Sequence, residues 1–152
     1  VTSSDLVASV RAFIEQNSLG VISYVKSDGT PAGASMEFVV LSGPGLRLGF
    51  STSFGPKSGY RKYPHLLKNP NVAVTFTSEV QNITFQCEGV VKENSAQPDG
   101  EVRKVLFEKF PDSSGFLAQP EAKFFVVTLE WGRYSDFADN RPENFFIREL
   151  NF

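Results

Sequence analysis

Hydrophobic and polar positions alternate along much of this chain with the period of a β-strand. Leu46, Leu48 and Phe50 alternate with Arg47, Gly49 and Ser51; further on, Val72, Val74 and Phe76 alternate with Ala73, Thr75 and Thr77. Between these two predicted strands lies Ser51-Thr52-Ser53-Phe54-Gly55-Pro56-Lys57-Ser58-Gly59, rich in hydroxyls and glycine. Arg61 and Lys62 follow, then a short helix ending at Asn69-Pro70. Pro64 would cost a helix-interior bond unless the helix opens on it. Tyr60–Tyr63 therefore reads as a turn and Pro64–Lys68 as the helix.

The flanking pattern supplies the rest of the layout. Leu6, Val7, Val10, Phe13 and Ile14 fall on one helical stripe, with Ser3 or Ser4 as N-cap and Gly20 as terminator. Gly20 to Ser27 reads as a strand, Asp28-Gly29 as a tight turn, and Ala32 to Leu41 as the next strand. Ser42-Gly43-Pro44-Gly45 turns the chain into Leu46, completing an antiparallel meander. Ile83 to Val91 is a further strand, with Ile83, Phe85, Cys87 and Gly89 on one side and Thr84 and Gln86 on the other. Val102, Val105, Leu106 and Phe110 mark an amphipathic helix beginning at Pro98. The loop Pro111–Pro120 is flexible in composition and a candidate cover for a ligand. Lys123 to Leu129, continuing to Tyr134, is nearly all apolar, which predicts burial on both faces.

The expected architecture is mainly β: about six antiparallel strands closing into a barrel or split barrel, with flanking helices. One domain spans 1–152, with helix 4–17, barrel strands 20–91, helix 98–110, last strand 123–134 and a C-terminal tail over 138–152.

Composition narrows the function classes. With 41% hydrophobic and 21% charged residues the chain is globular, not disordered. A net charge of −2 offers no basic surface for nucleic acid, and no apolar run approaches the ~18–20 residues of a membrane helix. Fifteen Phe suit a β-rich core and leave open a dimer face or a flat ligand site. The single Cys87 excludes an internal disulfide. Val1–Asp5 has neither the basic nor the apolar region of a signal peptide, and a cytoplasmic location is expected. His65 has no second histidine or cysteine at ligand spacing, so a helix-surface role outweighs a metal or haem role. Cys87, alternating with Gln86 and Glu88, reads as a small buried apolar residue rather than a reactive thiol.

A strand end bearing hydroxyls, followed by a helix start with two cations, can seat a phosphate. The same residues are also compatible with an ordinary solvated loop. The ordered set of strand, Thr52-Ser53, Arg61-Lys62, short helix, Asn69-Pro70, strand, and strand ending Phe85-Gln86-Cys87-Glu88-Gly89 resembles the pyridoxamine 5'-phosphate oxidase-like family of FMN-binding split β-barrels.

The resemblance covers roughly Leu6 to Phe137. It implies an FMN-dependent oxidoreductase whose phosphate is held by Thr52, Ser53, Arg61 and Lys62, with Ser51 also at the cofactor and Lys57 as a further candidate phosphate ligand. It also implies that Met36, Glu37 and Phe38 run beside the flavin ring, that Gln86 meets its pyrimidine edge, and that Trp131 stacks near it or packs at an interface. The implied assembly is a homodimer with the cofactor between subunits, acting on a small molecule or NAD(P)H. Two features depart from the family. Ser35, Met36 and Leu41 stand where enzymes oxidising pyridoxamine phosphate carry basic flanks, and Phe54–Lys57 lengthens the phosphate loop. The alternatives on the same fold are a reductase using the deazaflavin F420 and a non-enzymatic haem-binding or regulatory barrel.

Overall fold

The computed structural model describes residues 2–53, 62–94 and 100–152. Thr2, not Ser3 or Ser4, caps the first helix, α1 (Ser3–Gln16). The Thr2 hydroxyl accepts the Asp5 N–H at 3.2 Å, and the Asp5 carboxylate accepts the Thr2 N–H at 3.3 Å. This reciprocal box forms because an acidic residue lies three positions beyond Thr2. The stripe of Leu6, Val10, Phe13 and Ile14 is buried against the sheet.

Eight strands form among the described residues, more than the sequence pattern predicts. They are β1 (Leu19–Val25), β2 (Pro31–Glu37), β3 (Val39–Val40), β4 (Arg47–Ser53), β5 (Asn71–Ser78), β6 (Ile83–Glu93), β7 (Ala122–Asp136) and β8 (Phe146–Asn151). Every pairing is antiparallel, in the order β2-β1-β5-β6-β7-β4-β3, with β8 also on β7. The result is a curled sheet forming a half-barrel with flanking helices.

The extra strands have separate causes. The single strand expected over Ala32–Leu41 breaks at Phe38, whose ring is fully buried and whose N–H donates to the Ser18 carbonyl at 2.9 Å. Residues before Phe38 pair with β1 and those after it with β4, so the chain passes there from one edge of the split to the other. β8 lies in the expected tail, where Leu150 is its one buried residue, too little alternation to read as a strand.

β7 serves three neighbours: β4 along its first half, β8 along its second, and β6 from Phe125 to Asp136. A bulge at Glu130 shifts the register with β6. Beside the bulge, Gly89, the register partner of Leu129, lies so close to the Thr128 carbonyl that a β-carbon there would collide with it. The expected two-faced burial of β7 holds in its first half; Thr128 and Glu130 are exposed.

Much of the phenylalanine content goes into the barrel core. Phe38 packs on Phe50 and Phe76 with ring centroids 5.5 and 5.3 Å apart, and Phe50 stacks on Phe125 at 5.4 Å. Cys87 lies in this core, as expected, and its thiol donates to the Val74 carbonyl at 3.4 Å.

The helices between strands also differ in detail. α2 (Lys62–Lys68) starts before Pro64, so Lys62 and Tyr63 are helical rather than part of a turn. Pro64 sits in the first turn, where its missing N–H has no helical partner to lose. α3 (Glu101–Lys109) is shorter than the predicted 98–110; Pro98 lies outside the described residues. The expected loop after it folds into a 3₁₀ turn (Pro111–Ser113) and a short helix, α4 (Ser114–Leu117). These segments close a second core, in which Val102, Leu106 and Leu117 meet Val39, Leu41, Ala122 and Phe124.

Candidate cofactor-binding site

The split between β2 and β4 opens a slot of about 260 Å³. Met36 and Glu37 of β2 and Ser51 of β4 form one wall; Leu106, Phe110 and Phe116, from α3 to α4, form the other. Three predicted site residues are thus brought together by strands that do not pair with each other. Phe116 lies in the Pro111–Pro120 stretch expected as a candidate cover for a ligand; what pattern reading did not place at the slot is the α3 stripe, Leu106 and Phe110, which read only as the apolar side of an amphipathic helix. Only packing of α3 on β4 turns that stripe towards Met36.

Ser51 carries the most informative atom of the slot. Its hydroxyl is buried and has no hydrogen-bond partner among the described residues, a situation that costs about 1–3 kcal/mol unless a partner arrives. Glu37 supplies the single carboxylate among the described lining residues and accepts a hydrogen bond from the Ser18 hydroxyl at 2.6 Å. No cation is among the described lining residues, in keeping with the absent basic flanks. The slot is mostly apolar with a few convergent polar groups, the usual character of a site for a flat organic cofactor.

The remaining predicted residues fall into three places. Phe38 is core, not lining. Thr52 and Ser53 continue β4 beyond the slot; Thr52 is buried on the opposite face from Ser51, and Ser53 is half-buried. Lys62 opens α2 half-buried, and loss of water pushes its ammonium pKa down. Lys57 and Arg61 lie outside the described residues. Gln86 and Trp131 are on the outer face of β6 and β7, where Gln86 pairs in register with Arg133 and Trp131 with Glu88. Ser51 pairs with Phe124, so Trp131 lies roughly 20 Å further along β7 at ~3.3 Å per residue. One chain does not bring these two residues to the slot. The Arg133 guanidinium covers the Trp131 ring at 5.8 Å and pairs with Glu149 at 2.6 Å, holding that carboxyl below its usual range.

His65 is held away from the slot. Its Nδ1 accepts the Ser27 N–H at 3.0 Å, and its ring stacks on Tyr24 with centroids 6.2 Å apart. A larger cleft, about 350 Å³, lies on the outer sheet face between Ser23, Asn71, Glu88 and Glu130, and contains none of the predicted residues. Among the described residues no helix is long and apolar enough to cross a membrane.

A split half-barrel with its slot at this strand junction agrees with the comparison to protein families, in which the model of pyridoxamine 5'-phosphate oxidase matches residues 6–136. The chain belongs to this family. No curated protein matches it by sequence. Solved structures share the fold at low identity. A pyridoxamine 5'-phosphate oxidase-related, FMN-binding protein from Nostoc punctiforme is 10% identical, with a TM-score of 0.69 over 100% of this chain and 98% of its own. A protein from Clostridium acetobutylicum related to general stress protein 26 is 15% identical, with a TM-score of 0.67 over 100% and 97%. The haem storage protein of Vibrio cholerae is 16% identical, with a TM-score of 0.63 over 81% and 89%. Proteins of this shape thus include both an FMN-binding and a haem-storing one.

Proposed function

We propose that this protein binds FMN in the slot between β2 and β4 and uses it as an oxidoreductase. The observation that carries the reading is the buried Ser51 hydroxyl, unpartnered among the described residues, in a mostly apolar slot. A flavin ring presents both apolar faces and a hydrogen-bonding edge, so it would satisfy that hydroxyl and fill the space beside Met36 and Phe110. The bound flavin would supply hydride or electron transfer. The chain's own residues would orient it: Ser51 at the ring edge, and Thr52, Ser53 and Lys62 at the phosphate.

The assembly under this reading is a twofold dimer in which Gln86 and Trp131 of a second copy complete each slot. Leu19 and Val21, 60% and 45% exposed on the outer face of β1, give that dimer an apolar patch to cover. The electron donor would be NAD(P)H and the oxidant a small molecule without a required anionic handle, since the described lining offers no cation.

Haem is the second reading, favoured by the Vibrio relative. It has less support here: His65 is committed to Ser27, Cys87 is in the core, and Met36 is the only described soft ligand lining the slot.

Visible absorbance of the purified protein, followed by titration with FMN, separates the readings. Saturable flavin binding, weakened by at least ~1 kcal/mol in Lys62→Ala, is the expected result. A Soret band without flavin uptake would sink it.

A further inference from the structure

Beyond the motif residues, a second described cation stands at the same end of the barrel. Lys123 of β7 is the register partner of Thr52 on β4, so the two side chains leave the sheet on one face as an opposed pair. The Lys123 ammonium lies 5.7 Å from the ring centroid of Tyr63, the residue next to Lys62 on α2. Among the described residues no ion pair within 4.0 Å involves Lys62 or Lys123.

One carboxylate is close by. Glu93 shares a hydrogen bond with the Tyr63 hydroxyl, and its Oε1 is buried without a partner among the described residues. Lys123 therefore either balances Glu93 or faces an anion brought from outside. Glu93 pairs in register with Phe125, two positions from Lys123 on the same face of β7, so it is a diagonal neighbour of the lysine. The second role is favoured because the Lys123 ammonium settles over the Tyr63 ring, towards α2, and among the described residues makes no ion pair within 4.0 Å.

We propose that Lys123 is a binding residue for the phosphate of the cofactor, acting with Thr52 and Lys62 from the strand that faces them. This rests on the cofactor reading above but assigns a residue that the sequence motif does not contain. The ammonium would contribute a point charge and one or more hydrogen bonds to the phosphate and nothing to the ring.

The role predicts selectivity between two ligands that differ only in the phosphate. In Lys123→Gln the dissociation constant for FMN should rise about tenfold while that for riboflavin stays within twofold. Lys123→Arg should keep most of the FMN affinity. Equal losses for FMN and riboflavin, or no loss for either, would overturn the proposal. A double variant Glu93→Gln/Lys123→Gln removes the competing explanation. If Lys123 only balances Glu93, FMN affinity recovers in the double variant; as a phosphate ligand it stays weak.

If the wild-type protein takes up no flavin at all, the cofactor reading fails, and inorganic pyrophosphate followed by amide NMR tests Lys123 alone. Shifts at Thr52 and Lys123 that vanish in Lys123→Gln would support the anion seat; no shifts in the wild type would end it.

Discussion

Gly49 on β4 lies directly beneath Val102 of α3: a β-carbon at Gly49 would meet Val102 Cγ1 at 2.9 Å and Val39 Cγ2 at 3.1 Å. This close approach lets α3 lie flat on the strand that carries Ser51, and so sets the width of the slot. The Arg47–Glu101 pair, 3.1 Å apart, fastens the start of the same helix to the same strand. Gly49→Val should overpack the contact and cost about 1–3 kcal/mol in chemical denaturation. It should also weaken ligand binding more than the stability loss explains, because the wall bearing Leu106 and Phe110 is displaced. Unchanged affinity in a folded Gly49→Val protein would show that α3 does not set the slot.

Ser51→Ala separates stability from binding. Removing a buried hydroxyl that has no partner among the described residues should leave the unliganded protein as stable or up to ~1 kcal/mol more stable, read from thermal or urea unfolding. The same change should weaken flavin by ~0.5–1.5 kcal/mol, because the ring edge loses a donor. Loss of stability without loss of affinity would be the opposite of what this geometry implies.

Alkaline pH should destabilise the protein progressively through two identifiable groups. Burial pushes the Cys87 thiol up to about 12, and burial, helped by the Glu93 hydrogen bond and charge, pushes Tyr63 to about 12. In the unfolded chain these groups ionise near ~8.5 and ~10. Both folded values are raised, so their contribution is complete below pH ~8.5 and is lost as pH rises towards 12. Urea midpoints measured at pH 7, 9 and 11 should fall steadily. Cys87→Val should flatten the lower part of the fall and Tyr63→Phe the upper part. Parallel profiles for wild type and Cys87→Val would contradict the burial argument.

Arg11 ties α1 to the turn between β3 and β4. Its guanidinium donates to the carbonyls of Leu41 at 3.0 Å, Gly43 at 3.0 Å and Gly45 at 2.8 Å. The turn needs this anchoring because Gly43 and Gly45 both adopt positive φ, 110° and 71°. Arg11→Ala should cost about 2 kcal/mol by chemical denaturation. Arg11→Lys should restore less than half, since a single ammonium cannot span three carbonyls.

Local pattern was enough for the first helix, for most of the sheet and for the buried state of Cys87. Each of these follows from side-chain periodicity, and a strand with one buried face cannot slip register without exposing that face. Pattern misread Ala32–Leu41 as one strand because alternation does not record which neighbour a strand pairs with. The break at Phe38 follows from the ring entering the core while the backbone changes partner. β8 escaped notice for a related reason: it is held by backbone bonds to β7 with little apolar burial of its own.

The candidate site divides in the same way. Met36, Glu37 and Ser51 were legible as a set only through family resemblance, and Lys62 through its place after the hydroxyl-rich loop. The sequence alone determined a globular, Phe-rich antiparallel β protein, with hydroxyls and cations concentrated around one strand end. Tertiary structure decided which of them share a space. β2 and β4 are not bonded to each other, so the slot between them exists only once the sheet has curled. The opposing wall forms only because Gly49 admits Val102. Lys123 reaches Thr52 through pairing of strands distant in the chain, and such pairing leaves no periodic trace in either strand's own sequence.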